Sequence, residues 1–166
     1  MEKVIFKQDF SDFGNLNFHD CSIYAFGFDK ESYQFLIDID LIINWLEIGE
    51  SFTFELCPAT VVFNNAWDIE FDISINLDLI IDNISRTNPR IPKNIEFLPK
   101  SSIEYDWTID TLQGSIKLKS IGMSIYQRKD LCRQKEQTLS FNKRDSISLN
   151  KEGQKLFPVV SHSSTD

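Results

Sequence analysis

Much of the chain alternates apolar and polar side chains with a period of two, the repeat of a β-strand whose two faces meet different surroundings. The clearest case is 67–75. Trp67, Ile69, Phe71, Ile73 and Ile75 share one face, and Asp68, Glu70, Asp72 and Ser74 the other, which predicts an antiparallel strand with a wet outer face. The longest is 34–45. Phe35, Ile37, Ile39, Leu41, Ile43 and Trp45 line one face, while Leu36, Asp38, Asp40, Ile42 and Asn44 make a mixed second face that reads as half covered. A strand is also predicted over 22–28, followed by a polar turn at 29–32. Phe52, Phe54 and Leu56 alternate with Thr53 and Glu55 up to Pro58, which cannot donate to a ladder and predicts a break before a short strand at 60–63.

A hairpin is predicted around Gln113-Gly114. Ile103, Tyr105, Trp107 and Ile109 alternate with charged or polar residues on the way out, as do Ile116 and Leu118 on the way back. Asp106 and Asp110 are placed to meet Lys117 and Lys119 across it. A change of phase between Leu118 and Ile121 predicts a bulge near Gly122 in a strand ending about Gln127. Residues 77–85 differ: Leu77, Ile80, Ile81 and Ile84 fall at helical spacing behind a possible Asn76 cap. This predicts a short helix, although the same isoleucine-rich run also reads as a strand. Residues 87–100, with Pro89, Pro92 and Pro99, read as an extended loop.

The expected fold is therefore mainly β: an antiparallel curved sheet or β-sandwich of about six to eight strands, with at most one or two short helices. The expected core includes Ile37, Ile39, Trp67, Ile69, Phe71, Ile73, Trp107 and Ile109. The pattern dissolves after Arg128. One domain over 1–127 is expected, with a C-terminal extension over 128–166 that is partly ordered to position 149 and frayed at the end. Composition agrees: 21 Ile and 14 Phe stand against 3 Ala, and branched and aromatic side chains suit a pleated surface better than a helix.

Charge adds an asymmetry. Residues 1–83 hold 16 Asp or Glu and 3 Lys or Arg, a net of −13; residues 84–166 hold 9 and 14, a net of +5; together these give the −8 of the whole chain. The acidic half would repel phosphate, so no nucleic-acid partner is expected, and it would attract a basic protein. No apolar run reaches the ~20 residues of a membrane helix, and the first residues lack a leader pattern, so no membrane partner and a cytoplasmic location are expected. Three widely spaced cysteines, Cys21, Cys57 and Cys132, read as reduced thiols.

Candidate chemistry is thin. His19-Asp20-Cys21 places three reactive groups side by side, but adjacency in sequence does not position a base on a nucleophile. The only other histidine is His162. No phosphate-cradling glycine motif and no zinc ligand set is present, so no catalytic, cofactor or metal residue is assigned. The carboxylates Asp68, Glu70, Asp72, Asp38 and Asp40 read as a partner-binding face, since paired acids need a desolvated cleft to act as acid and base.

Phe18-His19-Asp20-Cys21-Ser22-Ile23, leading to Ile37-Asp38-Ile39-Asp40, resembles a pattern in small bacterial immunity proteins of polymorphic toxin systems, over about residues 18–75. The resemblance implies a stoichiometric inhibitor of a toxin and transfers no catalytic residue. The leading expectation is thus a non-enzymatic binding protein, an immunity protein that neutralises a basic toxin domain through an acidic surface. The alternatives are a small enzyme or ligand-binding β-cup lined by Trp45, Trp67, Tyr105 and Trp107, and a structural or assembly protein.

Overall fold

Two antiparallel sheets enclose one apolar core. The computed structural model describes residues 1–159, so the expected fraying at 161–166 lies outside the described residues. The strands are β1 (Glu2–Lys7), β2 (Ile23–Asp29), β3 (Gln34–Ile48), β4 (Ser51–Asn64), β5 (Trp67–Ile73), β6 (Ile81–Arg90), β7 (Glu104–Thr111), β8 (Gly114–Ser120), β9 (Gly122–Gln127), β10 (Cys132–Gln134) and β11 (Gln154–Phe157). The larger sheet runs β1-β3-β4-β9-β11, with β2 on the near end of β3 and β10 on β4; the smaller runs β5-β8-β7-β6. The only helical pieces among the described residues are two single 3-10 turns, Phe13–Asn15 and Ile95–Phe97.

The long β3–β4 hairpin sets the frame. Residues opposite one another in a ladder share a face, so Phe35, Ile37, Ile39 and Leu41 lie with Phe63, Val61, Ala59 and Cys57 against the smaller sheet, all buried. Trp107, Ile109, Ile116 and Leu118 meet them from the other side, and the Trp107 ring packs edge-on to Phe63 at 5.2 Å. Burying each such side chain contributes roughly 1.5–3 kcal/mol.

Four departures from the sequence pattern have physical causes. Pro58 does not split β4, because it sits between the stretch paired with β10 (Phe54 to Leu56) and the stretch paired with β9 (Ala59 to Asn64). Its missing N–H is therefore not needed there, and its carbonyl accepts from Arg128 N. The phase change near Gly122 is a crossing, not only a bulge: β8 belongs to the smaller sheet and β9 to the larger. At that corner Ile121 N and the Ser120 hydroxyl both donate to Asn64 O, at 3.0 and 2.6 Å. The helix expected over 77–85 is absent; Ile81–Arg90 forms β6, whose buried Ile81 and Ile84 pair onto β7 and outweigh the helical spacing. Finally, 128–159 is woven into the domain. It adds β10 and β11 to the nine strands of 1–127, against the six to eight expected, and it covers the outer face of the larger sheet.

Strand β5 corrects the expected core. An extra residue sits between Trp67 and Glu70 in its register with β8, and Asp68 adopts φ +52° there. The bulge turns Trp67 onto the outer face beside Lys119, whose ammonium lies 4.7 Å from the ring centre. Trp67 is 40% exposed, and Phe71, at the open edge, 48%. Ile69 and Ile73 are half-buried, while Ile37, Ile39, Trp107 and Ile109 are buried.

Candidate partner-binding surface

The carboxylates singled out from sequence separate into three environments. Asp38 and Asp40 lie on the outer face of the larger sheet, opposite Thr60 and Pro58, and are fully buried under the C-terminal segment. Asp38 accepts from Arg144 Nη1 and Nη2 at 3.1 and 2.8 Å, from Arg128 Nη2 at 2.8 Å and from Ser148 N at 3.0 Å. Asp40 accepts from Arg144 Nε at 3.1 Å, the Tyr24 hydroxyl at 2.6 Å and Leu139 N at 2.8 Å. The Arg144 guanidinium also lies over the Tyr24 ring, 3.7 Å from its centre. Burial, together with the Asp40 carboxylate, pushes the Tyr24 hydroxyl well above its ordinary pKa. All four carboxylate oxygens of the pair accept hydrogen bonds and both side chains are fully buried, so the cluster works as a latch for 128–150 and presents nothing to solvent.

The second environment is the outer face of the smaller sheet. Asp68 is paired with Lys119, and Glu70 stands opposite Lys117. Asp106 stands opposite Lys119, as expected, and is held at 2.8 Å by Asn88 Nδ2 and at 2.9 Å by Arg90 Nη2, whereas Asp110 stands opposite Ser115. The Asn88 bond and the Arg90 charge hold the Asp106 carboxyl below the usual range. Arg90 also reaches the buried Glu104, which accepts from Trp67 Nε1 at 2.7 Å. This face is charge-matched. Asp68, Glu70 and Asp72 do not form one free stripe, and β3 and β5 belong to different sheets, so Asp38 and Asp40 do not extend it.

The third environment is the open side of the sandwich, between the edges of β2 and β5. Phe26 stacks on Phe71 there with ring centres 5.0 Å apart, and Phe71 meets Phe35 edge-on at 6.0 Å. Phe26, Phe28, Phe71, Ile75 and Leu77 are all exposed, Leu77 at 93%. A cavity of about 370 Å³ lies between 22–26 of the β2 edge and the loop carrying Ile75, Leu77, Asp78 and Leu79, with Thr138 at its margin. Asp78 is the carboxylate that lines this cavity, and no Lys or Arg lines it. Six first-half acids elsewhere or at the rim (Glu2, Asp29, Asp38, Asp40, Glu55 and Asp68) are met by second-half cations. Glu70, Asp72, Asp78 and Asp82 have no Lys or Arg nitrogen within 4.0 Å among the described residues. Sequence reading missed this surface because it forms only where the edge of β2 meets β5, as Phe26 on Phe71 shows.

The His19-Asp20-Cys21 motif disperses. Phe18 is buried and anchors the turn, in which Asp20 has φ +65°. His19 points outward, with Nδ1 3.2 Å from Asp82 and Nε2 3.5 Å from Asp20. Cys21 points inward, fully buried, and burial pushes its thiol up to about 12. Such a thiol is not a nucleophile. Trp45, Trp67, Tyr105 and Trp107 do not line one cup. Trp45 packs on Phe52 and Phe54 near the hairpin tip, Trp107 is in the core, and Tyr105 lies under Arg86, whose guanidinium is 4.2 Å from its ring. Among the described residues no group of three or more His, Cys, Asp or Glu is placed to hold a metal, and no helix is long and apolar enough to cross a membrane. Comparison of the chain with known protein families, curated proteins and solved structures finds no match.

Proposed function

We propose that this chain is a non-enzymatic binding protein that holds a basic protein partner, as an immunity protein holds its toxin domain. The observation that carries the reading is the open side of the sandwich: an exposed apolar seam of Phe26, Phe28, Phe71, Ile75 and Leu77, beside a cavity lined by Asp78 and by no Lys or Arg, in a chain of net charge −8. Apolar contact supplies affinity at the centre of an interface, and a charged rim selects the partner and raises the association rate. The unpaired thiols suit a reducing compartment, as expected for an inhibitor kept in the cell that makes the toxin.

The test is capture from a native lysate with the wild-type chain and with a variant carrying Asp72→Asn, Asp78→Asn and Asp82→Asn. The reading expects a basic protein that wild type retains one-to-one and that the variant releases at lower salt. A partner without basic character, or retention unchanged by the variant, overturns it.

A further inference from the structure

We infer that the edge of β2 is a docking strand: a basic, extended segment of the partner adds to it as an extra antiparallel strand in the groove beside 75–79. This deepens the partner reading and rests on it. Strand β2 pairs with β3 alone. Its start is tied on the other side by Ile23 N to Leu79 O (2.8 Å) and Ile81 N to Cys21 O (2.9 Å). From Tyr24 to Asp29 the far edge bonds to no backbone group among the described residues. Free sheet edges template strand addition, and folded proteins blunt them with lysine, proline or cover. The sequence Ile23-Tyr-Ala-Phe-Gly-Phe-Asp29 has neither lysine nor proline, and its outward flank is the cavity itself.

The groove also states what kind of strand fits. Phe26 and Phe28 share the inner face of β2 with Ile37 and Phe35, so an added strand would set every second side chain against Phe26, Phe28 and Phe71. Across the cavity stands Asp78, and no Lys or Arg lines it. An apolar–basic alternation therefore matches both walls. Six residues at about 3.4 Å each span the free stretch. Main-chain bonds give such complexes affinity, and the alternate side-chain sites give them selectivity. A second copy of this chain would bring its own acids to the same place, which the net charge of −8 opposes.

The test selects from a displayed library of random dodecapeptides on the wild-type protein, with counter-selection on Phe26→Lys. The expected winners alternate apolar residues with Lys or Arg. They slow amide exchange over 24–29, and they lose about thirtyfold in affinity when alternate backbone nitrogens are methylated, as the loss of two or three backbone bonds implies. Winners that bind as well when methylated overturn strand addition and leave the basic-partner reading standing. Winners without basic residues, or none, overturn the docking proposal. Concentration-dependent protection of 24–29 without peptide assigns the edge to a second copy and overturns it equally. Circular dichroism of Phe26→Lys, and a Phe28→Pro variant that removes one edge N–H, separate a lost site from a lost fold.

Discussion

The guanidinium of Arg144 grips the carboxylate of Asp38 through two hydrogen bonds, 2.8 and 3.1 Å long, across 106 residues of sequence, and neither side chain has any solvent exposure. Removing Arg144 strips the buried Asp40 of its only cation among the described residues and leaves Asp38 with Arg128 alone; breaking a buried pair costs about 3–5 kcal/mol. Arg144→Met is therefore expected to lower the urea midpoint sharply. Adding Asp38→Asn and Asp40→Asn to that variant is expected to restore part of the loss, since neutral amides replace the stranded carboxylates. A loss below ~1 kcal/mol for Arg144→Met would show that the latch does not hold the C-terminal segment.

Trp107 and Phe71 were equivalent in the sequence pattern, and the structure separates them. Trp107 is buried and its Nε1 donates to Ser120 O at 3.0 Å; Phe71 is half exposed on an edge strand. Trp107→Ala is expected to cost about 3–5 kcal/mol, from lost burial plus a residual cavity. Phe71→Ala is expected to cost about 1 kcal/mol, from the half of its burial that is lost. Equal losses in denaturant unfolding would mean that the seam around Phe71 is closed in solution.

Period-2 patterning made the β character, the β3 core face and the β7–β8 hairpin legible, because each of those strands has one apolar neighbour layer. It could not reveal the bulge at Asp68, where one extra residue reverses the face of Trp67. Nor could it show that Asp38 and Asp40 are buried, because alternation marks an acid as outward-facing whether water or an arginine 90 to 106 residues away receives it. The C-terminal segment looked patternless for the same reason: it is fixed by ion pairs and main-chain bonds, not by a repeating apolar face. The open side of the sandwich was invisible without the strand order, which alone puts 22–28 beside 69–79.

The three thiols are free and differ in access: Cys21 and Cys57 are fully buried and Cys132 is half-buried. Native-state titration with a thiol reagent is expected to modify Cys132 first, with Cys21 and Cys57 reacting only as fast as the protein opens. Rapid modification of all three without denaturant would contradict the packing.

Those two buried thiols also give stability a pH dependence on the alkaline side. Burial raises both from 9.0 to about 12. Below pH 9 folded and unfolded states alike hold the protons, and the contribution is complete. Above it the unfolded chain releases protons that the folded state retains, so stability falls as pH rises towards 12. A Cys21→Ala, Cys57→Ala variant should therefore show a flatter decline of the urea midpoint between pH 9 and 11 than wild type. Tyr24, whose hydroxyl is also shifted upward, should keep some slope in the variant above pH 10. Parallel declines would place the alkaline sensitivity elsewhere.

Charge on the open side and charge on the outer face of the smaller sheet should behave differently towards the captured partner. Asp72 and Asp78 have no Lys or Arg nitrogen within 4.0 Å among the described residues and Asp82 meets only His19 Nδ1, at 3.2 Å, whereas Asp68 is paired with Lys119 and Glu70 stands opposite Lys117. An unmatched acid projects its field over a Debye length, ~10 Å at 0.1 M salt; a matched one is largely cancelled before that distance. Neutralising Asp72, Asp78 and Asp82 should slow association by about an order of magnitude at low salt, with the difference shrinking as 1 M salt cuts the Debye length to ~3 Å. Neutralising Asp68 and Glu70 leaves Lys119 and Lys117 uncompensated, so association should change less per charge removed. Thermal stability should hold or rise slightly in the first variant, because it relieves repulsion among like charges without breaking a Lys or Arg pair. Stopped-flow association at two salt concentrations reads both variants directly. If the Asp68 and Glu70 variant shows the larger loss, the partner approaches the matched face, and the seam between β2 and β5 is not the contact.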